Sequence, residues 1–229
     1  MPNQTSFETT ELRRMLKAFL EKEVIDPITH ANVKIGNYKF GVYAFFDYDL
    51  EPIYVGQTNE KLRTRIGRHL TNQRTDAVAM NVLDPFEVFE VEIWPLPQYQ
   101  DSSSKDARAK EELNALEYQI FQQQIELSRF GAVLNEKEPS VPQRLIAIPT
   151  SYRGSIVSER IVELRNHPDV RIARRALTLS RLAQVISERQ VQSGLRKTLL
   201  TQANRLQWLA KSRFESMAEQ YPDENDEDD

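Results

Sequence analysis

The chain has 229 residues, of which 40% are hydrophobic and 28% charged, and its net charge of −4 is small, as in an ordinary soluble protein. It contains no cysteine and three histidines, which excludes disulfides and thiolate zinc sites and leaves little material for any zinc site. No apolar run approaches the roughly 18 residues of a membrane span, and the first residues lack the features of a signal peptide, so we expect a cytoplasmic protein with no membrane partner.

The first part of the chain predicts a small domain of mixed helices and strands. The apolar residues recur at helical spacing or alternate as in strands, which predicts in order a helix 8–24 ended by Pro27, strands 38–46 and 52–55, a helix 60–73, a strand 86–94, a helix 105–127 and a short strand 130–134. This order predicts an α/β (α+β) fold with a three-stranded, mainly antiparallel sheet that is flanked by helices.

After Asn135 the chain changes character, because Pro139 and Pro142 favour a linker and the later residues favour helices that are broken near 166–168 and near Gly194. The predicted organisation has five parts, namely an N-terminal helical extension 1–35, the small domain 36–137, a linker 138–155, a basic helical region 156–221 and a disordered acidic tail 222–229.

The charges of the C-terminal part are unevenly distributed. Residues 153–215 hold thirteen Lys or Arg against five Asp or Glu, whereas residues 216–229 carry seven acids and no base. A basic segment beside an acidic tail means that the overall pI of 5.6 says little about polyanion binding.

The helix predicted over residues 60–73 carries a candidate pair of functional residues. Leu62, Ile66 and Leu70 form one buried stripe at 100° per residue. Arg65 and His69 lie together along one edge of that stripe, so they either face a cleft beside the sheet or belong to a surface ridge of arginines. Two further arginines of the helix lie elsewhere, Arg63 at the opposite edge and Arg68 on the solvent side.

Glu117 is the most unusual residue of the helix 105–127, because it lies on the apolar face between Ile120 and Phe121. A carboxylate at such a position must meet a cation or reach a pocket. A metal ion and a structural pair with Arg65 are both open interpretations.

These features occur in the order of one known family. Gly41-Val42-Tyr43 resembles the first tripeptide of the GIY-YIG nucleases and Tyr54-Val55-Gly56 the second, at the usual separation. The remaining matches are the segment 62–69 with its arginine and histidine, the segment 116–118 with its glutamate, and Asn135 after the last predicted strand. The resemblance covers roughly residues 38–137.

The resemblance implies a chemistry for these residues. Tyr43 would be the general base, Arg65 would contact the phosphate, and Glu117 would be the only protein ligand of a divalent metal ion. Tyr54 and His69 would hold the phosphate or share a proton with Tyr43. One carboxylate ligand leaves several waters on the ion, which suits Mg²⁺ or Mn²⁺. Supporting positions implied in the same way are Gly41, Gly56, Gln57 and Asn135.

DNA contacts are expected from arginines and lysines outside this catalytic set. The candidates are Arg63, Arg68, Arg171, Arg174, Arg175, Arg181, Arg196, Lys197 and Arg205. A packing role for the basic helices, or a homo-oligomer formed through them, is an equally weighted alternative.

The sequence thus predicts a metal-dependent DNA endonuclease. The principal alternative is a catalytically inactive nucleic-acid-binding module with a vestigial site, and a second is a helical structural protein with a coincidental sheet. Neither the DNA target nor a restriction, mobile-element or repair role follows from the sequence.

Overall fold

The computed structural model describes residues 7–71, 82–188 and 193–220. Its helices are α1 (Phe7–Leu20), α2 (Leu62–Thr71), α3 (Ala107–Leu127), α4 (Glu159–Arg165), α5 (Pro168–Glu188) and α6 (Ser193–Gln220). Its strands are β1 (Glu23–Ile25), β2 (Asn32–Lys34), β3 (Gly41–Phe46), β4 (Pro52–Thr58), β5 (Glu90–Pro95) and β6 (Tyr152–Ser155). Short 3₁₀ turns precede β3 and β5 and follow β5.

The main sheet has the strand order β4-β3-β5-β6, and every neighbouring pair is antiparallel. The predicted α+β class is confirmed, but the sheet has four strands where the sequence predicted three. The additional strand, Tyr152–Ser155, lies in the predicted linker. Its four residues have no alternating apolar pattern, so the strand follows from pairing with the edge of β5 and not from local propensity.

The segment 130–134, predicted as a short strand, forms a turn, and Gly131 has a φ of 57°. The helical extension likewise contains an unpredicted element, because β1 and β2 form a small hairpin after α1. Helix α1 ends at Leu20, and Pro27 lies in the hairpin turn, where Asp26 accepts hydrogen bonds from the backbone of Ile28 and Thr29.

Side chains of β3 alternate between two hydrophobic layers, as expected for a strand with both faces covered. Tyr43 and Phe45 face the layer that contains α1 and α2, whereas Val42 and Ala44 face the layer that contains α3. The sheet therefore separates the residues of α2 from those of α3 except at its β4 edge.

The C-terminal helices are joined to the β3–β4 turn by buried ion pairs. Arg175, whose side chain is 2% exposed, bonds Asp47 at 2.8 Å and Glu87 at 2.9 Å. Arg205 bonds the same Asp47 at 2.6 Å, and Arg171 pairs with Asp49.

This arrangement corrects the interpretation of Arg171, Arg175 and Arg205 as DNA contacts. Their side chains are 2–3% exposed and already paired with carboxylates, so they are not available to phosphates. Part of the positive charge of residues 153–215 is therefore neutralised in the interior. The charge count of that segment did not show this, because the partners Asp47, Asp49 and Glu87 lie far away along the chain.

Among the described residues, no helix is both long and apolar enough to cross a lipid bilayer. The predicted acidic tail lies outside the described residues, and so does the predicted helix break just before Gly194, which itself lies in the first turn of α6.

Candidate active site

The candidate site lies at the β4 edge of the sheet and begins with the pairing of Tyr43 with Gly56 across β3 and β4. A Cβ atom at position 56 would lie 2.7 Å from the Cζ and hydroxyl oxygen of Tyr43 and 2.8 Å from Cε1 of Tyr54. Glycine is therefore required at this position, because both tyrosine rings occupy the space of a side chain. Gly41 has a related role, since a Cβ there would lie 2.9 Å from the carbonyl oxygen of Trp94.

The two tyrosines meet His69 of α2 in one aromatic cluster. The Tyr43 hydroxyl lies 3.2 Å from Nδ1 of His69, within hydrogen-bonding distance. The Tyr54 and His69 rings are 4.5 Å apart between centroids and nearly perpendicular. Phe45 packs edge-on against the same imidazole at 5.1 Å, so the orientation of His69 is set by three rings.

Helix α2 presents its residues as the 100° projection predicted. Leu62, Ile66 and Leu70 are buried, while Arg65 and His69 are half-buried along one edge. Burial disfavours the charged form of Arg65, but interactions with Tyr43, Tyr54 and Glu60 together outweigh this effect and raise the pKa of Arg65. Arg65 is thus held charged beside Tyr43.

Glu117 approaches the same place from α3. Burial raises the pKa of Glu117 to about 7, and the charge of Arg65 opposes that shift only in part. Its carboxylate borders a cleft of about 310 Å³ together with Tyr54, His69 and Asn135. Glu117 therefore reaches around the sheet edge to the tyrosine side, as the apolar-face position in the sequence indicated.

Asn135 closes the edge of β4 with its side chain. Its Nδ2 donates to the carbonyl of Val55 at 2.7 Å, and its Oδ1 accepts from the amide of Val55 at 3.0 Å. Together with the bond from Leu134 N to Ile53 O at 2.8 Å, these contacts satisfy the exposed backbone of β4 without a fifth strand. The cleft wall that continues over 136–139 is tied to α6 by an ion pair between Glu138 and Lys197.

The predicted DNA contacts outside this cluster lie in different surroundings. Arg63 lines a pocket beside α1, and its Nε donates to the carbonyl of Gly36 in the 3₁₀ turn before β3 at 3.4 Å. Arg68 pairs with Glu60 on the surface. Arg174 bonds Asp84 at 3.2 Å. Arg181 and Arg196 are exposed, and no described residue forms an ion pair with either.

Sequence reasoning passed over two residues near the site, Lys110 and Asn114. Both line a groove of about 360 Å³ that also contains Arg65 and Gln57. Their spacing in the sequence could have indicated this, because residues seven and three positions before Glu117 lie on the same face of a helix as Glu117.

Two tyrosines on adjacent strands, an arginine and a histidine four residues apart on a helix, and one half-buried glutamate thus lie near the β4 edge of the sheet. Residues 39–129 match the family model described as the GIY-YIG catalytic domain, so this part of the chain is similar to the GIY-YIG nucleases. The match leaves out α1, the β1–β2 hairpin, Asn135, β6 and the C-terminal helices. No curated protein and no solved structure matches the chain.

Proposed function

We propose that this protein is a metal-dependent DNA endonuclease in which Tyr43 is the general base, Arg65 contacts the phosphate and Glu117 holds the metal ion. The observation that carries the proposal is the convergence of the Tyr43 hydroxyl, Nδ1 of His69 at 3.2 Å, and the Glu117 carboxylate at one edge of the sheet. These groups come from three elements that lie apart along the chain.

The Tyr43–His69 contact supports a route for the proton. A phenol acts as a base only after it has given up its own proton, and a neighbouring imidazole can accept that proton. In the proposed mechanism, the Tyr43 hydroxyl passes its proton to Nδ1 of His69 and then takes one from the attacking water. Arg65, next to Tyr43, favours the ionised phenol by its positive charge and can also bind a phosphate oxygen.

The surroundings of Glu117 fit a divalent cation. Its carboxylate is mostly removed from water, and among the described residues Arg65 is the cation whose charge lowers its pKa. A further cation in the cleft would therefore stabilise the ionised form. Mg²⁺ and Mn²⁺ prefer oxygen ligands, so either ion would suit this carboxylate. The bound ion would supply Lewis-acid stabilisation of the phosphoryl oxygens.

The basic helices are proposed to contribute less to DNA binding than their charge indicates. Arg196 and Arg181 remain exposed and are the residues through which these helices would contact phosphates.

The test is cleavage of supercoiled plasmid by the full-length protein with Mg²⁺ or Mn²⁺. Glu117→Ala and Tyr43→Phe should each reduce the cleavage rate at least about a hundredfold, because the first removes the proposed metal ligand and the second the proposed general base. Glu126→Ala, an exposed glutamate of the same helix, should cut like the wild type. Equal rates for all four proteins would refute the proposed site, and a folded wild type that binds DNA without cutting it would favour the inactive binding module.

A further inference from the structure

A polar groove adjoins the candidate active site on the side of β4 and α3. It is lined by the ends of both elements, with Gln57, Arg65, Lys110 and Asn114 among its residues. Arg65 belongs to this groove and also interacts with Tyr43, so the groove begins where the scissile phosphate would lie.

The groove presents an uncompensated positive charge. Lys110 is exposed, and no carboxylate of the described residues lies within ion-pair distance of it. The acid of the groove, Glu60, is already paired with Arg68. By contrast, the neighbouring cation Arg108 is paired with Glu112 at 3.4 Å. Lys110 therefore differs from the other basic residue of the first turns of α3 in having its charge free for an anion.

Asn114 adds a neutral hydrogen-bond donor. Its Oδ1 accepts a hydrogen bond from Nε2 of Gln57 at 2.9 Å, which fixes the plane of the amide. The Nδ2 group of Asn114 has no partner among the described residues, and the residue is exposed. Because its Oδ1 already accepts from Gln57, the Nδ2 group of Asn114 is the part of this side chain that can donate to a ligand in the groove.

Lys110, Asn114 and Glu117 lie along one face of α3, because positions i, i+4 and i+7 fall within about 60° of each other in a helix. A helix rises ~1.5 Å per residue, so Lys110 is ~10 Å from Glu117 along the axis. A DNA strand rises ~3.4 Å per nucleotide, and the same distance spans ~3 nucleotides. The face is therefore long enough to contact a few nucleotides of one strand next to the scissile phosphate.

We propose that this groove binds the sugar–phosphate backbone of the cleaved strand, with Lys110 and Asn114 as its phosphate contacts. The inference rests on the proposed function for the position of the scissile phosphate. It deepens that function by assigning substrate contacts to residues that take no part in the chemistry.

The test is the affinity of the full-length protein for a short fluorescein-labelled DNA duplex of mixed sequence, measured by anisotropy at several salt concentrations with EDTA present. Lys110→Gln should weaken binding about tenfold at low salt. It should also reduce the slope of log affinity against log salt by about 0.9, which is the loss of one phosphate contact. Lys110→Arg keeps the charge and should restore the slope.

The matched control is Lys22→Gln, which removes the same charge near Gly154 of β6, at the opposite edge of the sheet. It should leave the slope unchanged. An equal slope for Lys110→Gln and the wild type, or the same loss in the Lys22 variant, would overturn the groove assignment, and so would a wild type that binds no DNA. Because the assay contains no metal and needs no cleavage, an inactive protein that shows the Lys110 effect would refute the nuclease mechanism alone.

Discussion

The phenol oxygen of Tyr43 lies 3.2 Å from Nδ1 of His69, although one residue is in a central strand and the other is near the end of α2. The contact exists because Gly56, opposite Tyr43 in the sheet, leaves room for the tyrosine ring to turn toward the helix. A backbone position without a side chain thus determines where the phenol is held.

Replacement of Glu117 by Gln is expected to stabilise the protein at pH 8 by about 3 kcal/mol, because a buried charge is removed. The pKa of Glu117 is raised from 4.5 to about 7, so between these values the folded state binds more protons than the unfolded state. Wild-type stability therefore falls as the pH rises through this window, and the gain from the substitution should disappear below pH 4.5. Urea unfolding of the wild type and the variant at pH 8 and at pH 4 measures the gain in stability. A gain of equal size at the two pH values would contradict the burial of the charge.

Gly56→Ala should displace the tyrosine rings, since its Cβ would lie 2.7 Å from Tyr43. We expect a loss of stability of about 1–3 kcal/mol from overpacking and a large decrease in cleavage. Gly67→Ala is the matched control, because nothing lies within 4 Å of a Cβ at that helical position, and alanine should stabilise α2 by about 0.5–1 kcal/mol. Thermal unfolding distinguishes the two, and a neutral Gly56 variant would show that the rings have other space.

Asn135→Ala should open the edge of β4 by removing both hydrogen bonds to Val55. The cost is expected to be about 2 kcal/mol, and amide hydrogen exchange at Val55 should become much faster. The Val42 amide in β3, inside the sheet, serves as an internal reference. Unchanged protection of Val55 would mean that another group covers this edge.

Arg175→Ala should destabilise the fold by about 3–5 kcal/mol, because it leaves Asp47 and Glu87 buried without one of their cations. Arg108→Ala removes an exposed pair with Glu112 and should cost less than about 0.5 kcal/mol. Denaturant unfolding gives both values. If Arg175→Ala were as mild as the control, or weakened DNA binding without a loss of stability, the interior role of this residue would be wrong.

Much of the site was predictable because its signals are local. The phase of α2 placed Arg65 and His69 on one edge of a buried stripe, and the apolar neighbours of Glu117 marked a carboxylate on a core-facing side. Gly41 and Gly56 stood out because glycine is unusual in strands. Helical period and glycine geometry depend on only a few neighbouring residues, so they can be read without coordinates.

The sequence by itself thus determined the three strands β3, β4 and β5, the helices α1, α2 and α3, and the family resemblance. Only the tertiary structure decided which arginines are interior, because Arg171 and Arg175 find their carboxylates more than a hundred residues away. It also decided that Tyr152–Ser155 would pair with β5. The physical reason is the same in both cases: an ion pair or a strand pairing is made with a partner whose position in space is set by the packing of the whole domain.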